Sequence, residues 1–189
     1  MPRSTSDQTE PEPYRLSASA SHLLHRAEQL ASDRFAQLVG ESVTLRQFAV
    51  LAAIAETPGL SQSDLGRATG IDRSTLAEMI GRLEKRGFIT RTASASDARA
   101  YSVRLAAAGA TILSGATHHA RAADAAILDL LPRTKRRAFL AILERIAKLS
   151  DELAEKAERN VRRQAKREAK ARRSGKKGQA GAPRRKRGG

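Results

Sequence analysis

Residues 61–91 read SQSDLGRATGIDRSTLAEMIGRLEKRGFITR, and this stretch carries the start and stop signals of two short helices joined by a tight turn. Ser61 and Asp64 have the spacing of a capping pair at the start of the first helix, and Gly70 is suited to end it. Asp72 then offers a cap for the second helix. The apolar residues of this second helix share one face and are expected to be buried: Leu76, Met79, Ile80 and Leu83. The pattern predicts a helix-turn-helix.

A β-hairpin is predicted directly after the second helix, from two β-like runs at about 88–92 and 100–105. In the later run apolar and polar residues alternate, which is typical of a strand with one buried face. Gly87, between helix and hairpin, is expected to adopt a left-handed conformation. The small polar connection between the runs suits a hairpin tip, where Arg99 could enter a DNA minor groove. The hairpin would therefore form a wing.

Further helices are predicted on both sides of the helix-turn-helix and its hairpin. Apolar residues at helical spacing predict one helix over about 16–39. The next helix opens with a capping box formed by Thr44 and Gln47. Two further helices are expected over about 107–131 and 133–159, divided by Pro132, and Ala106 cannot cap the first of them.

The predicted fold class is therefore mainly α with a small β-hairpin wing. A domain over residues 16–159 would comprise a winged helix-turn-helix lobe at about 44–105 and a helical dimerisation region at about 16–39 and 107–159. The apolar stripe over 139–153 is too long for a lone winged helix to bury, so dimerisation is expected to use it.

Positive charge is concentrated at the C-terminus. The 189 residues include 35 Lys or Arg and 20 Asp or Glu, a net charge of +15. Residues 160–189 hold 13 Lys or Arg and one acid, so this basic tail carries +12 and the remainder +3. We expect the tail to be a frayed helix that becomes disordered from Ser174, and residues 1–15 to be a disordered arm. Because such a tail attracts any polyanion, DNA binding by the folded body must be argued separately: residues 67–104 alone carry +4.

Composition excludes several classes of protein. The absence of cysteine excludes disulfides, thiolate zinc sites, iron–sulfur clusters and thiol redox sensing. Aromatic residues make up only 3% of the chain, which argues against stacking platforms for single-stranded nucleic acid. No stretch approaches 18 uninterrupted apolar residues, and the N-terminus lacks the order of a secretory signal. We therefore expect a cytoplasmic protein without a membrane partner.

No arrangement of residues favours catalysis. The histidines are His22, His25, His118 and His119, and none belongs to an HExxH or comparable metal-binding pattern. His118 and His119 are sequential on a predicted helix and so point in different directions. The sequence has no glycine-rich phosphate loop and no arrangement typical of acid/base or nucleophilic catalysis. The prediction is a protein that is not an enzyme, with no catalytic residue, metal or cofactor.

Five segments in a fixed order resemble the MarR family of winged-helix transcription regulators. They are LRQFAVL at 45–51, SQSDLG at 61–66, GIDRST at 70–75, RLEKRGFITR at 82–91 and DARA at 97–100. The resemblance covers roughly residues 16–155, and 61–105 is its most specific part. It implies a dimer formed by intertwined N- and C-terminal helices, which represses transcription until a small ligand binds.

The resemblance also implies roles for individual residues. Bases would be read from the helix opened by Asp72, chiefly by Arg73, Ser74, Thr75 and Glu78. Asp97 would orient Arg99 at the wing tip, and Ser61 and Gln62 would approach a phosphate. Arg82 and Lys85 share the outer face of the same helix and are further candidates for DNA contact. The alternatives are a solvated helix face for Arg73, Arg82 and Lys85, a turn former at Asp97, and the roles of helix cap and first-turn residue for Ser61 and Gln62.

The effector implied by the resemblance is a small aromatic acid or its acyl-CoA thioester. His22, His25, Arg26 and Arg46 are candidates to pair with its carboxylate or phosphate, and polar packing is the alternative for the histidines. The predicted function is a homodimeric repressor whose two recognition helices lie about 34–36 Å apart on a pseudo-palindromic double-stranded DNA operator. Two other classes stay open: an architectural, nucleoid-type DNA-binding protein dominated by its tail, and a helical scaffold for protein partners.

Overall fold

The computed structural model describes residues 13–93 and 101–179, which divide into two compact units after Pro132. The first unit contains a short 3₁₀ turn, five α-helices and three short strands within the described residues. In chain order these elements are the 3₁₀ turn Leu16–Ala18, α1 Ala20–Val39, α2 Leu45–Glu56, β1 Leu60–Ser61, α3 Gln62–Thr69, α4 Arg73–Lys85, β2 Ile89–Ala93, β3 Tyr101–Leu105 and α5 Ala107–Asp129. The described residues of the second unit form one long helix, α6 Arg133–Gln179. The prediction of a mainly α fold with a β-hairpin wing is confirmed.

The three strands form one antiparallel sheet in the order β1-β3-β2. The hairpin pairs Ile89 with Leu105 and Arg91 with Val103. On the other edge of β3, the two-residue strand β1 pairs Leu60 with Val103, and the N–H of Gly59 donates to the Val103 carbonyl at 3.0 Å. Strand β1 is not predicted from the sequence, because its partner lies more than forty residues away in the chain.

Side-chain caps start the helices of the central lobe where the sequence predicts them. Thr44 and Gln47 form a reciprocal capping box at the start of α2, and Ser61 and Asp64 form one at the start of α3. Asp72 accepts hydrogen bonds from two backbone N–H groups at the start of α4. Each cap satisfies backbone donors that would otherwise have no partner inside the helix.

The predicted glycine stops are also confirmed. Gly70 ends α3 in the left-handed region, at φ 66°. Gly87 follows α4 at φ 73°, and its N–H donates to the carbonyl of Glu84 at 2.9 Å. The N–H of Phe88 donates back to the carbonyl of Leu83 at 3.0 Å. These two bonds form a Schellman motif, which turns the chain from α4 into the hairpin.

The start of α5 lies very close to the entry of the hairpin. Ala106 provides no side-chain cap, as predicted; instead its N–H donates to the carbonyl of Phe88 at 3.0 Å. Gly109 in the first turn of α5 is buried against the same carbonyl. A Cβ atom built on Gly109 would lie 1.9 Å from the Phe88 oxygen, so only glycine permits this approach.

The core lies between the helix-turn-helix, the sheet and α5. The four apolar residues of α4 are buried as predicted, together with Val50, Leu51 and Ile54 of α2 and Leu65 of α3. Ile89 and Val103 contribute from the hairpin, and Ala116 and Ala120 from α5. Because this core fixes one face of α4, it also fixes which face of the helix meets solvent.

Two helices carry large apolar residues that are exposed in the single chain. On α1 they are Leu23, Leu24, Leu30 and Leu38. On α6 they are Leu140, Ile142, Leu143, Ile146, Leu149 and Leu153. Ile142 is 59% exposed and Leu153 67% exposed. Each of the two helices therefore carries an exposed apolar face.

The end of α6 differs from the expectation of disorder from Ser174 onward. The helix continues to Gln179, through Gly175 and Gly178. Alanine, lysine, arginine, glutamine and glutamate dominate the preceding turns, and all are good helix formers. Once a helix has formed, each added residue gains one hydrogen bond without a new nucleation cost, so two glycines at its end do not stop it.

Candidate nucleic-acid interface

The outer face of α4 is the exposed side of the helix-turn-helix. Arg73, Ser74, Glu78, Arg82 and Lys85 are all exposed along it, as predicted for residues that could reach DNA. Thr75, near the start of the helix, is half-buried and so is less accessible than these five residues. A helix presented in this way has the diameter to enter the major groove of B-DNA.

The two helices of the motif are joined by a direct hydrogen bond. The side-chain amide of Gln62, at the start of α3, donates to the backbone carbonyl of Arg73 at 3.4 Å. Gly66 of α3 lies close to the turn, since a Cβ atom there would be 3.4 Å from the carbonyl oxygen of Ile71. Gln62 is therefore placed as a strut between the helices, a role that sequence analysis did not predict.

The start of α4 is organised around the carboxylate of Asp72. The Ser74 hydroxyl donates to it at 2.6 Å, the Thr75 N–H at 3.0 Å and the Ser74 N–H at 3.1 Å. These hydrogen bonds, the Ser74 hydroxyl first, hold the pKa of Asp72 well below its usual range. Because the Ser74 proton is used in the cap, its hydroxyl oxygen is left to accept a hydrogen bond from DNA.

Ser61 is occupied by its own cap. Its hydroxyl donates to the Asp64 carboxylate at 2.6 Å and accepts from the Asp64 N–H at 3.1 Å. The bond from the Ser61 hydroxyl lowers the pKa of Asp64, with smaller contributions that include the nearby Arg67 guanidinium. The structure thus places Ser61 in the capping role that was its alternative, and phosphate contact by Ser61 and Gln62 stays a prediction.

The described part of the wing is tied to α4 by an ion pair. Arg91 of β2 donates to the carboxylate of Glu84 near the end of α4, and this bond lowers the pKa of Glu84. The Arg91 guanidinium also lies 5.8 Å from the ring centre of Tyr101 on β3. Asp97 and Arg99, the predicted tip residues, lie outside the described residues. Nothing in the local sequence signalled the contact between Glu84 and Arg91, which needs the folded hairpin.

Arg86 is the C-cap residue that follows α4, and its side chain contacts the turn before α2. It donates to the backbone carbonyl of Ser42 at 2.7 Å, and its guanidinium lies 4.4 Å from the ring centre of Phe88. The contact of Arg86 with Ser42 is not predicted from the sequence, because the two residues are 44 positions apart. This contact fixes the C-terminal end of α4 against the loop that precedes α2.

The residues predicted to bind an effector lie on α1 and α2. His22 is half-buried, while His25, Arg26 and Arg46 are exposed. Arg46 forms an ion pair with Glu28 at 3.2 Å, which joins the two helices one turn away from His25. The ion pair with Glu28 was not predicted, and binding of an effector by these four residues stays a prediction.

Three observations bear on metal sites, the paired histidines and membrane-spanning helices. Within residues 13–93 and 101–179, three or more histidine or acidic side chains nowhere gather into a group that could hold a metal ion. The rings of His118 and His119 lie 5.6 Å apart, edge to face. In the same part of the chain, none of the helices combines the length and apolar character needed to cross a membrane.

A pH-dependent contribution to stability is expected from the cap at Asp72. Because its pKa is lower in the folded than in the unfolded chain, the carboxylate stabilises the fold above its ordinary pKa of 3.8, and this contribution is lost as the pH falls toward the folded value. In Asp72→Asn a neutral amide can still cap the helix. We expect the wild type to melt at a higher temperature than the variant by a constant margin from pH 7 to about 5, and by a smaller margin at pH 2. A margin independent of pH, measured by circular dichroism, would contradict this role.

Comparison with known proteins identifies the family. A family model described as MarR family matches residues 42–100. The transcriptional regulator HosA of Escherichia coli O157:H7 is 33% identical over 124 residues, which cover 65% of this chain and 92% of HosA. The solved structure of the transcriptional repressor CouR bound to a 23-mer DNA duplex is 30% identical, with a TM-score of 0.63 over 74% of this chain and 99% of that one.

A second solved structure describes the regulation of DNA binding of Bordetella bronchiseptica BpsR by 6-hydroxynicotinic acid. It is 28% identical, with a TM-score of 0.66 over 71% of this chain and 97% of that one. These matches agree with a helix-turn-helix of capped helices, a hairpin wing and an exposed basic face on α4. The chain belongs to the MarR family of winged-helix transcriptional regulators.

Proposed function

We propose that this regulator is a dimeric repressor, which leaves a pseudo-palindromic operator when a small aromatic acid or its acyl-CoA thioester binds. The observation that carries the proposal is the outer face of α4. Its three cations Arg73, Arg82 and Lys85 are exposed, while the opposite face is anchored in the core. A helix that is anchored in the core on one side and carries exposed cations, with Glu78 among them, on the rest of its surface is suited to reading a major groove.

Dimer formation is supported by the uncovered apolar residues of α1 and α6. Burying apolar surface stabilises an interface by about 25 cal/mol per Å², so these residues favour pairing with a second copy. A twofold dimer presents two copies of α4 to the DNA, and an operator with matching half-sites about one helical turn apart would bind both. CouR, a repressor solved on a DNA duplex, is a relative consistent with this arrangement.

Effector binding is proposed at the junction of α1 and α2. A carboxylate entering there would compete with Glu28 for the exposed Arg46, and Arg26, His22 and His25 lie on the same helix as Glu28. BpsR, whose DNA binding is regulated by 6-hydroxynicotinic acid, supports an aromatic acid as the class of ligand. Such a ligand weakens DNA binding only to the extent that it binds the DNA-free conformation of the protein more tightly than the DNA-bound conformation.

The test is a footprint on the DNA upstream of the protein's own gene. We expect a protected, approximately palindromic site, with protection reduced by 6-hydroxynicotinic acid, 4-hydroxybenzoate or the CoA thioester of 4-hydroxybenzoate. Equal affinity for that site and a scrambled duplex would overturn the proposal and favour an architectural protein. Protection unchanged by all three compounds would overturn the proposed effector class.

Arg73 is expected to contribute directly to operator binding. The Arg73→Ala variant should bind the operator more weakly by about 1–3 kcal/mol, since a guanidinium that contacts a base or phosphate at the start of the helix would be removed. Arg121→Ala, which removes an exposed arginine from α5, is the matched control and should bind like the wild type. Titrations of labelled operator by fluorescence anisotropy measure both variants. Equal affinities of the two variants would contradict the placement of α4 in the groove.

A further inference from the structure

The C-terminal half of α6 carries its positive charges in a regular row. Between positions 159 and 179, basic residues recur at alternating intervals of four and three. At about 100° per residue, this spacing keeps them on one side of a helix. We call this row the basic stripe: Arg159, Arg163, Lys166, Lys170, Arg173 and Lys177.

Most of the other charged residues in this segment fit the same one-sided distribution of positive charge. Arg162 and Arg167 fall at the two borders of the stripe, so together they widen it to an arc of about 140°. Glu168, the one acid among residues 159–179, falls on the opposite side. Only Arg172 and Lys176 are basic residues outside the arc. By the spacing of the sequence, the positive charge is therefore one-sided over about 27 Å of helix. Among these basic residues, the structure describes the side chains of Arg159, Arg163, Lys166 and Arg167.

This arrangement destabilises the helix by itself. Like charges three or four residues apart on a helix repel each other, by about 0.2–0.5 kcal/mol for each pair. Arg159 has an ion-pair partner in Glu155, at 3.5 Å. Arg163, Lys166 and Arg167 are all exposed further along. Solubility needs only net charge, so it would be served equally well by cations scattered around the helix. A single-sided row gains stability only when a polyanion lies along it.

The opposite side of the segment argues against two other occupants. After Leu153 the largest apolar residue up to position 179 is Val161, and alanines such as Ala157 and Ala165 take the positions around it. A coiled coil needs large apolar residues at its seam, and a helix that lies in a membrane surface needs them on its buried side. Charge complementarity is therefore the property by which this segment of α6 can recognise a partner.

We propose that the basic stripe is a second DNA-binding surface, which contacts the phosphates of duplex DNA without reading sequence. It is separate from the outer face of α4 and goes beyond the proposed repressor function. Duplex DNA carries about one negative charge per 1.7 Å of its axis, so a row of cations along one side of a helix can neutralise several phosphates together. Cations on the far side of the helix would contribute much less.

The test uses two charge-matched variants of the full chain. Arg163→Gln with Lys166→Gln removes two charges from the stripe, and Arg172→Gln with Lys176→Gln removes the same two residue types from outside it. Glutamine is a good helix former, so circular dichroism should show equal helicity. Binding to a 40-base-pair duplex of scrambled sequence is then measured over a range of salt concentrations.

Removing the stripe pair should lower the slope of log affinity against log salt by about 1.8, because each phosphate that is no longer neutralised changes this slope by about 0.9. Removing the outside pair should lower it by less than about 0.5. Equal changes for the two pairs would overturn the proposal, as would an unchanged slope for the stripe pair. Loss of binding to vesicles with 30% anionic lipid without loss of duplex binding would also overturn it. The ratio of operator to scrambled affinity reports separately on the repressor function, since it depends on α4.

Discussion

Gly109→Ala is expected to destabilise the winged-helix unit by about 3 kcal/mol, at the upper end of the usual range for overpacking. The added Cβ would lie 1.9 Å from the carbonyl oxygen of Phe88 and 2.8 Å from its carbonyl carbon. The obstacle is backbone, which has no rotamer to change. That carbonyl also accepts the N–H of Ala106 at 3.0 Å, so moving it away breaks this hydrogen bond as well. Thermal and urea unfolding followed by circular dichroism measure the loss.

Gly115→Ala is the matched control, since it lies on the same helix and nothing lies within 4 Å of its added Cβ. It should stabilise the protein by up to about 1 kcal/mol, because alanine has the higher helix propensity. The two substitutions add the same methyl group to α5 and should act in opposite directions. A loss of stability of similar size in both would show that the contact with Phe88 is not the cause.

Ile142→Asp is expected to convert the protein to a monomer and to weaken operator binding by at least about 100-fold. Ile142 is 59% exposed in one chain, within the apolar face of α6 that we propose pairs with a second copy. In a twofold interface the substitution buries two unpaired carboxylates, one from each subunit. A buried charge without a partner costs several kcal/mol. A monomer also loses the gain in affinity of about 10²–10⁴ that comes from binding two half-sites at once.

Ala141→Asp is the control for this experiment. The residue is the direct neighbour of Ile142, is exposed, and lies about 100° away around the helix, outside the apolar face. It should leave both the dimer and operator affinity unchanged. Sedimentation velocity and operator titration measure both variants. If Ile142→Asp stays dimeric, then this face of α6 is not the dimer interface.

The helix boundaries of the central lobe could be predicted because their causes are local. Each capping pair, such as Thr44 with Gln47, joins groups three residues apart, and the glycine stop at Gly87 depends on the residues next to it. Such interactions are encoded within one turn of helix. The exposed face of α4 could be predicted for the same reason, since apolar spacing alone fixes which side is buried.

The features that sequence analysis missed depend on contacts between distant parts of the chain. The strand β1, the close approach of Gly109 to Phe88 and the ion pair of Arg46 with Glu28 all require the folded core to bring their partners together. No periodicity or motif marks either partner beforehand. In the candidate interface, the role of Gln62 as a strut likewise depends on the packing of α3 against α4.

The recognition helix α4 is attached at both of its ends. At the start, the carbonyl of Arg73 accepts from Gln62, and at the finish Arg86 donates to the carbonyl of Ser42. These two hydrogen bonds, together with the buried face of the helix, oppose tilting or sliding of α4 within its own lobe. If an effector regulates DNA binding as we propose, induction would then appear as a displacement of whole lobes, seen as a change in the distance between two unchanged reading heads.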